Sequence, residues 1–159
     1  MKFVKQGQVL HLIYDDHRDL PAEFQSACDA YEGHIKGRVG WNVPATIIQT
    51  HHPKSSLLKY KAQYLIAYKK GDIQTKRHEL QHARFYLDPT YQQEVRQLWN
   101  SFSKPFQQSV HTLLQKMKYP NDPRILLDEF QAYYFTEKPH FFGKETYWRL
   151  PVLPYFYRN

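Results

Sequence analysis

The stretch H-E-L-Q-H, residues 78–82, decides most of what this sequence predicts. Apolar residues recur at helical spacing around it, and we expect a helix from about Asp72 or Thr75 to Tyr86. Residues four positions apart lie one turn from each other on the same face of a helix. The two histidines of this stretch can therefore reach a single metal ion.

The chemistry of these residues points to zinc. His78 and His82 offer imidazole nitrogens, and zinc accepts such ligands while it keeps one position open for water. Zinc lowers the pKa of that water to about 7, and Glu79, next to His78, can accept the proton that the water loses. The sequence therefore predicts a catalytic Zn2+ site in which His78 and His82 are ligands and Glu79 is the general base.

A catalytic zinc site needs a third protein ligand, and a later helix can supply it. We expect that helix over about residues 124–135, because an Asp-Pro pair precedes it. It carries two neighbouring acids, of which Glu129 is our candidate ligand and Asp128 the alternative. Ala132 shares the face of Glu129, and its small side chain lets two helices approach closely.

Taken together, these residues resemble the zincin metallopeptidases, in the arrangement found in gluzincins. The match rests on the histidine pair with Glu79, on Glu129 with its Ala132, and on the order of elements: a strand, the active-site helix and a later glutamate helix. The resemblance implies a hydrolase that cleaves peptide bonds with a zinc-activated water. It also implies an extended peptide or protein substrate that pairs with a sheet edge beside the active-site helix.

One position departs from the gluzincin pattern. Tyr133 stands four residues after Glu129, where an acid is expected. The carboxylate that orients a ligand histidine must then come from elsewhere, and Asp128 and Asp88 are the candidates. Tyr133 points near the same site, and it is our first candidate to stabilise the oxyanion that forms during hydrolysis. Two further candidates follow it in the sequence: Tyr134 and His140.

The remaining sequence predicts an α+β fold, because strands come first and helices later. Predicted strands cover Gln8–Tyr14, Ala45–Thr50 and Ala62–Tyr68, and further helices run from about Pro21 to Tyr31, Asp88 to Asn100 and Ser103 to Lys118. The second or third strand is expected to supply the substrate edge. We therefore expect one zincin-like domain over residues 1–159. It has a small N-terminal mixed or antiparallel sheet with the active-site helix, then a helical C-terminal half and an irregular, packed tail from Lys138.

The composition of the chain limits which functions other than peptide hydrolysis the sequence allows. The chain has 22 basic and 15 acidic residues, a net charge of +7, which allows an anionic partner such as nucleic acid. The single cysteine, Cys28, excludes a disulfide framework and lies in an apolar helical phase that predicts a core position. The alternative to a peptidase is a non-catalytic zincin-like domain, or a basic domain that binds nucleic acid or protein.

Nothing in the sequence predicts a membrane span or a signal peptide. No stretch approaches the roughly 18 apolar residues that a span needs. Near the N-terminus, the polar run K-Q-G-Q interrupts any apolar signal region. We therefore expect a cytoplasmic protein, with export by another route left open.

Overall fold

A mixed four-stranded sheet forms the N-terminal part of the molecule in a computed structural model that describes residues 1–35, 37–138 and 141–143. The strands are β1 (Lys2–Gln6), β2 (Val9–Tyr14), β3 (Trp41–Pro44) and β4 (Tyr64–Lys69). Their order across the sheet is β1-β2-β4-β3, with β2 and β4 parallel and the two outer pairs antiparallel. The predicted α+β class and the mixed N-terminal sheet are confirmed.

Six α-helices accompany the sheet in the described residues. They are α1 (Ala22–Glu32), α2 (Ala45–His51), α3 (Ile73–Leu87), α4 (Pro89–Ser101), α5 (Lys104–Lys116) and α6 (Pro123–Thr136). The last four begin where the sequence predicts, because a side chain before each accepts a backbone N–H of the first turn. These capping residues are Asp72, Asp88, Ser103 and Asp122.

The predicted strand Ala45–Thr50 is wrong, because this segment is helix α2. Its β-branched residues favour a strand, but that preference depends strongly on the surrounding packing. Pro44 has no N–H to continue the ladder of β3, and Ile48 of α2 is instead buried in the core shared with α1. The short strands β1 and β3 were not predicted.

The expectation about the substrate edge also needs correction. The predicted strand Ala62–Tyr68 corresponds to β4, which pairs with β2 on one side and with β3 on the other. It is therefore an interior strand, and the other candidate is a helix. The sheet edge that contacts α3 is β3.

The two faces of the sheet have different cores. One face is apolar and packs against α1 and α2; its buried residues include Leu10, Leu12, Val43, Leu65, Phe24 and Cys28. The core position predicted for Cys28 is confirmed, and burial raises the pKa of its thiol. The other face is covered by α3 and includes the polar side chains of His11, Asn42 and Tyr64. Helices α5 and α6 form a separate aromatic core that includes Phe106 and Phe130.

Two further predictions concern the membrane and the tail. No helix within the described residues combines the length and the apolar character needed to cross a bilayer. Phe142 is buried against the aromatic core of α5 and α6. Residues 144–159, most of the predicted packed tail, lie outside the described residues.

Candidate metal centre

Three potential metal ligands meet where α3 packs against α6. The Nε2 atoms of His78 and His82 lie 3.2 Å apart. Glu129 Oε2 lies 3.6 Å from His78 Nε2, and Glu129 Oε1 lies 3.7 Å from His82 Nε2. Ala132, one turn further along α6, is fully buried at this helix contact. The three residues thus form a group whose ligand atoms all lie within 4.8 Å of one another.

These separations fit the coordination sphere of zinc. Tetrahedral zinc with bonds of about 2.0–2.1 Å holds its ligand atoms about 3.3–3.4 Å from each other. The two Nε2 atoms, 3.2 Å apart, fall close to that spacing, and each lies within 3.7 Å of one of the two Glu129 oxygens. The group could therefore hold a metal ion.

The Glu129 carboxylate has the properties of a ligand. Its Oε2 is buried and has no hydrogen-bond partner among the described residues. Burial alone would raise the pKa of Glu129, but the charge of His82, the contact with His78 and the nearby Tyr119 hydroxyl outweigh it, and the pKa is lowered. A buried carboxylate oxygen that lacks a hydrogen bond is costly unless a cation or a donor satisfies it. A metal ion between the imidazoles would remove that cost.

Asp128 occupies a different side of the group. Its Oδ1 lies 2.9 Å from Nδ1 of His82, the ring nitrogen that faces away from Glu129. Gln131 donates to the same Oδ1 over 2.9 Å, and Tyr91 donates to the Gln131 side chain. Asp128 is therefore placed to orient His82 by accepting a hydrogen bond from its Nδ1–H, which leaves Nε2 for a metal. The geometry favours Glu129 over Asp128 as the ligand.

The acids also set the protonation of His82. Burial lowers the pKa of its imidazole, but Asp128 and Glu129 outweigh burial and raise the pKa well above the ordinary value. Asp88, the other acid that the sequence suggested for this orienting role, instead caps α4 by accepting the backbone N–H of Tyr91.

Glu79 is buried beside this group and is held by the sheet edge. Asn42 of β3 donates to Glu79 Oε2 over 3.0 Å, and Tyr64 of β4 donates to Asn42 Oδ1 over 2.6 Å. Burial raises the pKa of Glu79, and the charges of His82 and His78 act in the opposite direction. Sequence reasoning missed Asn42, because positions 42 and 79 meet only through a strand that was not predicted.

The backbone next to Asn42 also makes room for Glu79. Gly40 precedes β3, and a Cβ atom added there would collide with Glu79 Oε1 and the methyl group of Thr75. Glycine therefore allows the loop to pass directly over the carboxylate. Nothing in the local sequence distinguishes Gly40 from the nearby Gly33 and Gly37, so this role could not be predicted.

A cleft of about 420 Å³ opens beside the group, and it is lined in part by Arg38, Gly40, His78, Glu79, Tyr119 and Tyr133. The Tyr133 ring packs 4.5 Å from the His78 ring, centroid to centroid, and its hydroxyl lies 3.0 Å from that of Tyr119. Burial raises the pKa of both tyrosines, so they keep their protons at neutral pH. Tyr119, which the sequence analysis missed, thus joins Tyr133 as a potential donor.

The other two residues predicted to stabilise the oxyanion, Tyr134 and His140, are not found in the cleft among the described residues. Tyr134 is buried and packs against Phe102 and Phe130 in the aromatic core. His140 lies outside the described residues. Tyr133 is thus the one predicted candidate that the described part of the chain brings into the cleft.

No family model, curated protein or solved structure matches this chain. The zincin resemblance therefore rests on the residues quoted above and on the order of the elements. The case for a metal centre rests on the local geometry of α3 and α6.

Proposed function

We propose that this chain is a zinc-dependent metallopeptidase of the zincin type, with His78, His82 and Glu129 as the zinc ligands. The observation that carries the proposal is the meeting of His78, His82 and Glu129 at one point, where one ligand atom from each residue lies within 4.8 Å of the others and the two Nε2 atoms are 3.2 Å apart. Glu79, the acid that a hydrolytic mechanism requires, is buried, lines the same cleft as His78 and interacts with the charges of both histidines. A site that only held a structural ion would have no use for Glu79 or for a cleft next to it.

Bound zinc supplies Lewis acidity and a water whose pKa is lowered to about 7. Glu79 accepts the proton of the attacking water and later passes it to the leaving amine. Asn42 donates to Glu79 Oε2 and so helps to hold the carboxylate in place. Asp128 keeps the His82 ring in the orientation that presents Nε2 to the ion.

Two other features support peptide hydrolysis. The Tyr133 hydroxyl, in the same cleft, is a protonated donor for the developing oxyanion, with Tyr119 at its side. The zincin resemblance implies an extended peptide that pairs with a sheet edge beside the active-site helix. Strand β3 is the sheet edge in contact with α3, and its four residues are buried in this structure. The proposed substrate is therefore an extended peptide or an extended segment of a protein.

The test compares zinc-loaded wild-type protein with Glu79→Gln on a library of peptides prepared by digesting a whole proteome. Mass spectrometry identifies new peptide ends after incubation. We expect the wild type to cleave members of the library, and 1,10-phenanthroline to stop it. Glu79→Gln should bind the same amount of zinc and cleave nothing, because its amide cannot accept the proton.

Glu94→Gln is the matched control, because Glu94 is an exposed acid of α4. It should cleave as the wild type does. Equal cleavage by wild type and Glu79→Gln would remove Glu79 from the mechanism. A zinc-loaded wild type that cleaves nothing would favour the alternative, a basic binding domain without turnover. Salt-sensitive retention on nucleic acid would then support that alternative, given the net charge of +7.

A further inference from the structure

The two histidines of the candidate metal centre differ in the group that contacts their Nδ1 atoms. His82 Nδ1 lies 2.9 Å from the buried carboxylate of Asp128. His78 Nδ1 lies 3.4 Å from a neutral group, the hydroxyl of Thr136. Thr136 is absent from every motif in the sequence, and its contact with His78 depends on how α6 packs against α3.

The Thr136 hydroxyl can only accept a hydrogen bond from His78. Its own proton is donated to the backbone oxygen of Ala132 over 2.6 Å. A hydroxyl has one proton and two lone pairs, so what it offers to the imidazole is a lone pair. His78 then carries its proton on Nδ1, and the lone pair of Nε2 is left for an ion.

Thr136 is held at this position by both helices. It is the last residue of α6, and its backbone oxygen accepts a hydrogen bond from Gln74 of α3 over 2.8 Å. Tyr133, which stands where gluzincins place an acid, packs its ring 4.5 Å from the ring of His78. Helix α6 therefore contacts His78 with an aromatic ring and, less than one turn later, with a hydroxyl.

The same face of α6 contacts both histidines of α3. Asp128 contacts His82, and Thr136, about two turns further along α6, contacts His78. The two contacts differ in strength. A hydrogen bond to a carboxylate is shorter and stronger than one to a neutral oxygen, and 3.4 Å is long for a hydrogen bond.

We propose that Thr136 is a positioning residue of the metal centre, whose hydroxyl accepts the Nδ1–H of His78 and so presents Nε2 to the ion. This rests on the ligand set of the proposed function and gives each ligand histidine its own partner on α6. Such partners fix the orientation of the ring and the position of its proton, and their loss costs about 10–100-fold in metal affinity. A neutral partner should lie at the lower end of that range.

The first measurement is zinc affinity, obtained by competition with a fluorescent chelator. Thr136→Val keeps the shape of the side chain and removes the hydroxyl, so we expect it to bind zinc about tenfold more weakly than the wild type. Thr136→Ser keeps the oxygen and should bind zinc nearly as the wild type does. Equal weakening in both variants would overturn the proposal, because the oxygen would then not be the group that matters.

Thr112→Val is the matched control. Thr112 is an exposed residue of α5, and its hydroxyl also donates to the backbone oxygen four residues earlier, that of Gln108 over 2.9 Å. Chemical unfolding of the metal-free proteins should show small and similar changes for Thr112→Val and Thr136→Val, because each loses the same local hydrogen bond. Only Thr136→Val should lose zinc affinity. Wild-type affinity in Thr136→Val would overturn the proposal.

The second measurement is the NMR spectrum of zinc-loaded protein with isotope-labelled histidine. A hydrogen bond protects an Nδ1 proton from exchange with water, so we expect a protected Nδ1–H from each ligand histidine. The His82 signal should lie further downfield, because its acceptor is a carboxylate. Thr136→Val should lose or strongly shift the His78 signal, whose side chain is 14% exposed, and keep the His82 signal. Thr136→Ser should keep both.

The wild type decides if Thr136→Val fails to fold. A protected His78 Nδ1–H in the zinc-loaded wild type would support the hydrogen bond to Thr136, and a rapidly exchanging one would overturn it. Failure of the proposed function is distinguishable from failure of this proposal. A wild type that binds no zinc would overturn the ligand set and the role of Thr136 together. Zinc binding that depends on Thr136, without any peptide cleavage, would support the role of Thr136 and contradict only the peptidase.

Discussion

The two faces of the sheet are built from the same four strands and have opposite characters. On the face that packs against α1 and α2, the buried strand residues are apolar or aromatic. On the face covered by α3, buried polar groups include His11 and Asn42, and Asn42 leads directly to Glu79. The apolar face gains stability from every buried side chain, whereas the other face buries groups that are costly unless each has a partner.

This difference indicates which residues serve folding and which serve the candidate site. Substitutions on the apolar face should change stability and leave metal binding alone. Substitutions near α3 should change metal binding, pH dependence or the position of Glu79, with smaller effects on stability. Four substitutions test that division.

Leu12→Ala should have the largest effect on stability. Leu12 is fully buried on the apolar face, and its truncation leaves a cavity. We expect the free energy of unfolding to fall by about 2–5 kcal/mol. Denaturant unfolding measures this change, and elemental analysis of the folded fraction should still give the wild-type zinc content. Loss of zinc from the folded variant would contradict the claim that the apolar face does not affect metal binding.

Asp128→Asn should weaken zinc binding while preserving the fold. The amide has nearly the same shape as the carboxylate but accepts the His82 Nδ1 proton less well. Loss of such an orienting partner costs about 10–100-fold in metal affinity. Competition with a fluorescent zinc chelator measures the affinity. Unchanged affinity would show that His82 does not depend on Asp128 for its orientation.

His11 should make the metal-free protein sensitive to acid. Burial, followed by the charge of Lys76, lowers the pKa of His11 from 6.5 to about 4. The folded state therefore prefers the neutral ring, and the stability that His11 contributes above pH 6.5 is lost as the pH falls toward 4. Over that range, wild type should lose about 2 kcal/mol more than His11→Leu in chemical unfolding. Parallel losses in the two proteins would contradict this assignment.

Gly40→Ala should lower stability by about 1–3 kcal/mol, because the added methyl group meets the Glu79 carboxylate and the methyl group of Thr75. Zinc content should remain as in wild type. Peptide cleavage should nevertheless fall strongly, because the carboxylate is displaced from its position. Gly37→Ala is not a matched control, since Gly37 has a positive φ of 81°. The informative comparison is between cleavage and zinc content within Gly40→Ala itself.

Much of this architecture could be predicted because it depends on local signals. Asp-Pro and Ser-x-Pro pairs mark the starts of α4, α5 and α6, and the spacing of His78 and His82 follows from helical geometry. The choice between Glu129 and Asp128 could not be made from the sequence. That choice depends on how α6 is rotated about its axis relative to α3, and this rotation is determined by packing along the whole interface between the two helices.

The elements that were missed depend on long-range pairing. Strand β3 has four residues, and its pairing with β4 gives it a place in the sheet. Because β3 was not predicted, neither Asn42 nor Gly40 could be connected with Glu79. The same pairing explains why Ala45–Thr50 was misassigned. Strand β3, which ends at Pro44, already forms the sheet edge, and the chain turns into α2 directly after it.

Zinc content tests the central claim most directly. Untagged wild-type protein, His78→Ala and Glu129→Gln are purified without added metal, exposed to equal zinc, dialysed and measured by elemental analysis. Circular dichroism shows that each variant is folded. We predict about one zinc per wild-type chain and much less in both variants, because each loses one of three protein ligands. No zinc in the wild type, or equal zinc in all three proteins, would contradict a metal centre at the contact of α3 and α6.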